Sequence, residues 1–132
     1  MRRLILVLLA ISVCGPATGG ERIVVGSKNF AENRLLAEMF ARVLEARTEL
    51  TVERRLNLAG TQVCFEALRT GSIDLYPEYT GTGLVTLLGE SPRGDETETL
   101  NHVRGEFLTR FDLRWLPPWG FVYSYELAVP AA

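Results

Sequence analysis

Histidine, cysteine and lysine are almost missing from this chain. Its 132 residues include one histidine (His102), two cysteines (Cys14 and Cys64) and one lysine (Lys28). So few ligating side chains give a metal site or a Cys-His nucleophilic pair little support. Basic charge is not in excess, with 14 Lys and Arg against 16 Asp and Glu and a net charge of −2. That balance argues against a strongly basic nucleic-acid binder. A hydrophobic fraction of 47% and a small net charge exclude a disordered chain. Internal repeats, low-complexity tracts and long linkers are also missing, so one compact domain is expected.

The chain opens on Met1-Arg2-Arg3, then an apolar run from Leu4 to Val13, then Cys14-Gly-Pro-Ala-Thr-Gly-Gly. A basic start, a short apolar core and a small-residue exit are those of a secretory signal peptide, and the run is too short to span a bilayer. Ala17-Thr18-Gly19 suits cleavage before Gly20, which makes residues 1–19 the signal and exports the rest as a soluble protein. The alternative is a lipoprotein anchored through Cys14, although Val13 stands where such signals prefer Gly, Ala or Ser. Cleavage removes Arg2 and Arg3 and leaves Cys64 as the remaining cysteine, so no internal disulfide can form. Cys64 lies among Val63, Phe65 and Leu68 and reads as a small buried hydrophobe.

Residues 20–132 alternate strand-like and helix-like segments. Arg22–Gly26 (RIVVG) reads as a buried strand. Leu35, Leu36, Met39, Phe40, Val43 and Leu44 recur at helical spacing over Phe30–Arg47, with Asn29 and Glu32 in a capping-box pattern. Thr51–Asn57 reads as a second strand, Thr61–Thr70 as a short helix closed by Gly71, and Ser72–Tyr76 as a third strand. Tyr79–Leu88 reads as a helix stopped by Gly89, and Ser91–Thr97 as a turn. Leu100, Val103, Phe107 and Phe111 share one face of another helix. Leu113–Leu116 and Phe121–Val129 read as late strands around Pro117-Pro118-Trp119-Gly120. A β-α-β-α-β order predicts an α/β fold with a mostly parallel sheet flanked by helices.

Ligands of such sheets sit at the carboxyl ends of strands and at helix N-termini. Gly26–Phe30, Tyr76–Gly83 and Trp119–Tyr125 fall there. Lys28, just before a helix start, can hold a carboxylate or can be an ordinary solvated lysine. Tyr76, Tyr79, Tyr123 and Tyr125 can enclose a quaternary ammonium group by cation–π attraction, or can be structural tyrosines at sheet ends. Enzyme readings find little support. Gly81-Thr82-Gly83 lacks the Gly-Lys-Ser/Thr ending of a phosphate loop, and Asp74 and Glu78 read as capping and dipole partners rather than as an acid/base pair.

Three blocks carry a resemblance: GSKNFAE (Gly26–Glu32), RRLNLAGTQVCFEALRTGSIDLYPEYTGTGL (Arg54–Leu84) and FDLRWLPPWGFVYSYELAV (Phe111–Val129). In order and spacing they resemble the substrate-binding proteins of osmoprotectant ABC importers, which take up glycine betaine, choline and carnitine. The resemblance implies a type II periplasmic-binding-protein-like lobe, an incomplete osmoprotectant-binding (OpuAC-like) domain over 20–132. It implies a tyrosine cage for a trimethylammonium head and polar or cationic contacts for a carboxylate. On this sequence Tyr79 and Tyr125 resemble cage walls, and Thr82 and Lys28 resemble the carboxylate contacts, with Tyr76 and Tyr123 as further candidates. Tyr123 stands where the family has a short polar residue, which leaves ligand preference open.

Members of that family run to roughly twice this length, because two lobes close on the ligand. The expectation is therefore the N-terminal lobe of an extracytoplasmic solute-binding component, truncated before its second lobe and binding ligand weakly by itself. Its implied partners are a quaternary ammonium solute and the permease and ATPase of the same importer. Neither nucleic acid, metal nor cofactor is expected, and no enzymatic activity. The alternative is a degenerate paralogue, or an interaction or sensor module without a transport role.

Overall fold

The computed structural model describes residues 20–92, 94–120, 128 and 130. The expected late strand at Phe121–Val129 falls almost wholly outside them. Strand β1 (Arg22–Lys28) is buried from Val24 to Lys28, as a parallel strand covered on both faces must be. It pairs in parallel with β2 (Thr51–Leu58), Arg22 opposite Thr51 and Gly26 opposite Arg55, with a register shift before Lys28 meets Leu58. On its other side the Asp74 N–H donates to Val24 O at 2.8 Å, and the Gly26 N–H donates to Leu75 O at 2.8 Å. The third expected strand thus shrinks to one parallel bridge, Val25 with Leu75. Two local causes are visible. The Val24 N–H donates to the Asp74 carboxylate (Oδ2, 2.6 Å) rather than to a neighbouring carbonyl, and Pro77 has no N–H to extend a ladder.

Helix α1 (Ala31–Arg47) follows β1. Its seam differs from the sequence expectation. Ala37 and Ala41 are fully buried, packing with Leu44 against Val25, Val52 and Leu56. Leu35, Met39 and Val43 instead stand 60%, 53% and 57% exposed. Alanines let the helix backbone approach the sheet closely, and the larger residues on the neighbouring face are turned outward. The expected cap is also corrected. Phe30 occupies the cap position with no side-chain cap bond, while the Asn29 carbonyl accepts from Arg34 Nη1 at 2.8 Å. Asn33, inside the first turn, instead ties the helix to the strand: its Oδ1 accepts from the Lys28 N–H at 2.7 Å.

Helix α2 (Thr61–Arg69) buries Cys64 and Phe65, and Gly71 beyond it has φ of 71°, as expected of a helix stop. The expected helix at Tyr79–Leu88 is a single turn, α3 (Thr80–Thr82), running into a wide π-type turn over Gly83–Leu87. There the Leu88 N–H donates to Gly83 O at 3.0 Å. A side chain at Gly83 would put its Cβ 2.7 Å from the Trp115 indole, so only glycine admits that ring. Helix α4 (Glu96–Phe111) is capped by Asp95, whose carboxylate accepts from the Glu98 N–H at 2.8 Å. It buries Val103 and Phe107 with Phe65 and Leu84, the face that its spacing predicts. Phe107 meets Phe65, Phe111 and Trp115 edge-on at 5.9, 5.3 and 5.3 Å, the preferred aromatic geometry. Leu113–Leu116 is not a strand; the Leu116 carbonyl accepts from Arg104 Nη2 at 3.0 Å. No helix among the described residues is long and apolar enough to cross a membrane.

Candidate ligand-binding site

The carboxyl ends of β1, β2 and the Leu75 segment converge with the starts of α1 and α2. Lys28 ends β1, Thr61 begins α2, and Tyr76–Tyr79 follows the Leu75 bridge. Lys28 is not solvated; it is 3% exposed. Its Nζ donates to Glu78 Oε1 at 2.5 Å and to Thr61 Oγ1 at 3.4 Å, and the side chains of Lys28 and Glu78 are 4% and 5% exposed. A buried charge persists in such a place when paired and hydrogen-bonded. The same Glu78 oxygen accepts from the Tyr79 N–H at 2.9 Å. Glu78 Oε2 is buried with no hydrogen-bond partner among the described residues. Asn33 completes the junction, since its Nδ2 donates to Pro77 O at 2.8 Å. Ser27, fully buried, accepts from the Asn57 N–H at 2.9 Å beside the register shift.

Two neighbours register this burial. The Cys64 thiol is pushed up to about 11, by burial first and then by the Glu78 carboxylate, with Lys28 opposing. Cys64 is thus the buried hydrophobe that its neighbours in sequence suggest, and its thiolate is scarce at neutral pH. Burial, then the Glu78 charge, also pushes the Tyr76 hydroxyl well above the usual tyrosine range. Tyr76 stays neutral and adds no charge to the cluster.

Tyr79 lies at the cap position of α3 in extended conformation. Its ring centroid is 5.9 Å from Lys28 Nζ, and its hydroxyl donates to Glu32 Oε1 on the first turn of α1. Thr82 ends that single turn, half-buried. The structure therefore brings Lys28, Tyr76 and Tyr79 to one end of the sheet, with Thr82 following Tyr79 at the end of α3 and in no side-chain hydrogen bond with them. Tyr123 and Tyr125 lie outside the described residues. Sequence reasoning missed the connecting residues Asn33 and Thr61, read Glu78 as a capping and dipole partner, and gave Glu32 to a helix cap. One signal was available: Lys28 closely follows the apolar run of β1 and Glu78 stands between two tyrosines after Pro77, and a Lys or Glu that such a setting buries is almost always paired.

An open trough of about 650 Å³ adjoins this end, walled by Leu36, Phe40 and Leu44 of α1, by Leu75, and by Trp115 and Trp119. Phe40 and Trp119 stack at 6.1 Å across part of it. Its lining is chiefly apolar. Tyr76–Tyr79, at its margin, join it to the polar cluster. No group of three or more candidate metal ligands occurs among the described residues.

Parallel strands with flanking helices, and a polar-aromatic cluster at the strand ends, define an α/β lobe. The backbone superposes on the crystal structure of a glycine betaine/carnitine/choline ABC transporter with a TM-score of 0.70 at 19% identity, covering 80% of this chain and 40% of that one. It superposes on apo YehZ from Escherichia coli with a TM-score of 0.68 at 28% identity, covering 74% of this chain and 35% of that one. The family described as the substrate-binding domain of ABC-type glycine betaine transport systems matches residues 21–132, and the chain belongs to that family. The carnitine transport binding protein OpuCC of Listeria monocytogenes is 32% identical over 126 residues, 92% of this chain and 41% of that protein. The glycine betaine-binding protein YehZ of Escherichia coli K12 is 40% identical over 78 residues, 59% of this chain and 25% of YehZ. The chain thus spans less than half the length of these relatives.

Proposed function

We propose that this chain forms the N-terminal lobe, residues 20–132, of an extracytoplasmic solute-binding component of an ABC importer. Its ligand is a quaternary ammonium osmoprotectant of the glycine betaine, choline or carnitine type. The observation that carries this reading is the mounting of Tyr79, held at the strand ends between Glu32 and Glu78, in a chain of the glycine betaine transport family. Tyr79 is the cage wall, joined by Tyr125 and by Tyr76 or Tyr123. A permanent cation that cannot donate hydrogen bonds is held by electron-rich ring faces. The ligand carboxylate goes to Thr82 and to Lys28, whose ammonium has three donors and gives two of them to Glu78 and Thr61.

The role is capture and delivery to a permease and its ATPase, without catalysis. Residues 1–19 serve as the export signal. One lobe leaves the solute wet, so residues 20–132 bind glycine betaine more weakly than micromolar. The test is calorimetric titration of a two-lobed protein that joins this sequence to the second half of the Listeria relative. Saturable glycine betaine binding that drops at least roughly tenfold in Tyr79→Ala is expected for loss of a desolvated cation–π wall. Failure to bind any quaternary amine, or an unchanged Tyr79→Ala, overturns the reading.

A further inference from the structure

Glu32 lies in the first turn of α1, where an acidic residue ordinarily needs no more explanation than the helix dipole. Its carboxylate does something more particular. Oε1 accepts the Tyr79 hydroxyl from 47 positions along the chain. At the other end of the same residue, Glu78 Oε1 accepts the Tyr79 N–H at 2.9 Å and is itself fixed by Lys28 at 2.5 Å. Tyr79 is therefore held at both ends by carboxylates from two different segments, and its ring has lost the freedom to swing. We propose that Glu32 is a positioning residue of the ligand site, which fixes the Tyr79 ring as a wall for a cationic ligand.

The physical reason lies in what a ring can recognise. Cation–π attraction falls away as the cation leaves the ring face, and a quaternary nitrogen offers no hydrogen bond by which to correct a misplaced ring. A tyrosine anchored only at its Cα spreads over several rotamers and must be ordered when ligand binds. A hydrogen bond from the phenol to an ionised acceptor is of the strong, charge-assisted kind, so this ordering precedes the ligand. The assignment rests on Tyr79 being a cage wall, and the experiment below separates the two claims.

The test uses the 132-residue chain labelled with 13Cζ-tyrosine, the Tyr79 signal being identified by its loss in Tyr79→Phe. Glu32→Ala is expected to shift that signal, and Glu32→Gln, whose amide oxygen can still accept, to return it most of the way. In titrations with tetramethylammonium chloride, the shift induced at Tyr79 should require roughly five- to tenfold more salt in Glu32→Ala than in the parent, the scale of one lost hydrogen bond. Glu32→Gln should regain most of that loss. Thermal unfolding of Glu32→Ala, Tyr79→Phe and the double variant supplies a measure that does not depend on assignment. The two single shifts in Tm should overlap in the double variant, whereas a helix-dipole role would make them add.

An unmoved Tyr79 signal in Glu32→Ala, a Glu32→Gln that behaves as Glu32→Ala, or additive Tm shifts would each overturn the proposal. A parent chain whose Tyr79 signal ignores tetramethylammonium speaks against the cage reading, while the Tyr79 signal and the Tm cycle still decide whether Glu32 holds the ring.

Discussion

The aromatic cluster around α4 and the polar cluster at the strand ends are two cores built by opposite means. In the first, Phe65, Leu84, Val103 and Phe107 exclude water together, and Phe111 and Trp115 close edge-on around them. Its stability is spread over many weak contacts, so each side chain counts roughly by the volume it fills. In the second, Lys28, Glu78, Asn33 and Ser27 are buried or nearly so, and each is there because a specific partner meets it. Its members count by pairing rather than by size. Rigidity is thus placed where the loops need it. The apolar cluster makes the lobe cohere, and the polar cluster fixes the loop that carries Tyr79.

Four measurements test that contrast. The largest effect is expected from Phe107→Ala, which removes the ring that touches three other aromatics. It should lower unfolding stability in urea by about 4 kcal/mol, and a loss below about 1 kcal/mol would show that the cluster repacks freely. Lys28→Met comes next. It strands a buried carboxylate and should cost about 3 kcal/mol, whereas Lys28→Met combined with Glu78→Leu should recover most of it. If the double variant is no better than the single one, the pair is not the organising contact of the strand ends.

A smaller effect concerns pH. Cys64 ionises near 9 in the unfolded chain and near 11 in the fold, so its contribution is complete below pH 9 and declines as pH rises from 9 to about 11. Stability curves at pH 8, 9.5 and 11 should fall more steeply for the parent than for Cys64→Ala. Cys64 in the native protein at pH 8 should also resist iodoacetamide, which modifies it readily in urea. The smallest effect is expected at the surface. Arg54 bonds both Glu38 and Glu45, and these bonds hold both carboxyls below the usual glutamate range. Arg54→Met should cost little at neutral pH, and the difference should vanish as pH falls through that lowered range or as salt is raised. A persistent difference in 1 M salt would mean that Arg54 acts through packing.

Much of the fold is legible in the residues. The unbroken apolar run at Ile23–Val25 makes a covered parallel strand, the spacing of Val103, Phe107 and Phe111 makes a helix with one apolar face, and Gly71 and Gly89 end their segments with φ of 71° and 72°. What misled is equally instructive. The helical spacing of Leu35, Met39 and Val43 is real, yet two alanines take the seam, because periodicity records which positions share a face and not how near the sheet that face can come. Ser72–Tyr76 has strand character, but the Asp74 carboxylate and Pro77 interrupt its ladder. At the site, residue types were readable at Lys28, Tyr79 and Thr82, and their arrangement was not.

The alternation of elements, the near-neutral charge, the scarcity of His and Cys and the family blocks around Gly26–Glu32 and Arg54–Leu84 are readable without a fold. These are properties of composition and of neighbours in the chain. The burial of Lys28 against Glu78, fifty positions away, and the bond from the Tyr79 hydroxyl to the Glu32 carboxylate come from the tertiary arrangement alone. A buried polar group needs a partner wherever the fold can supply one, and in both cases that partner comes from a distant segment which no local pattern announces.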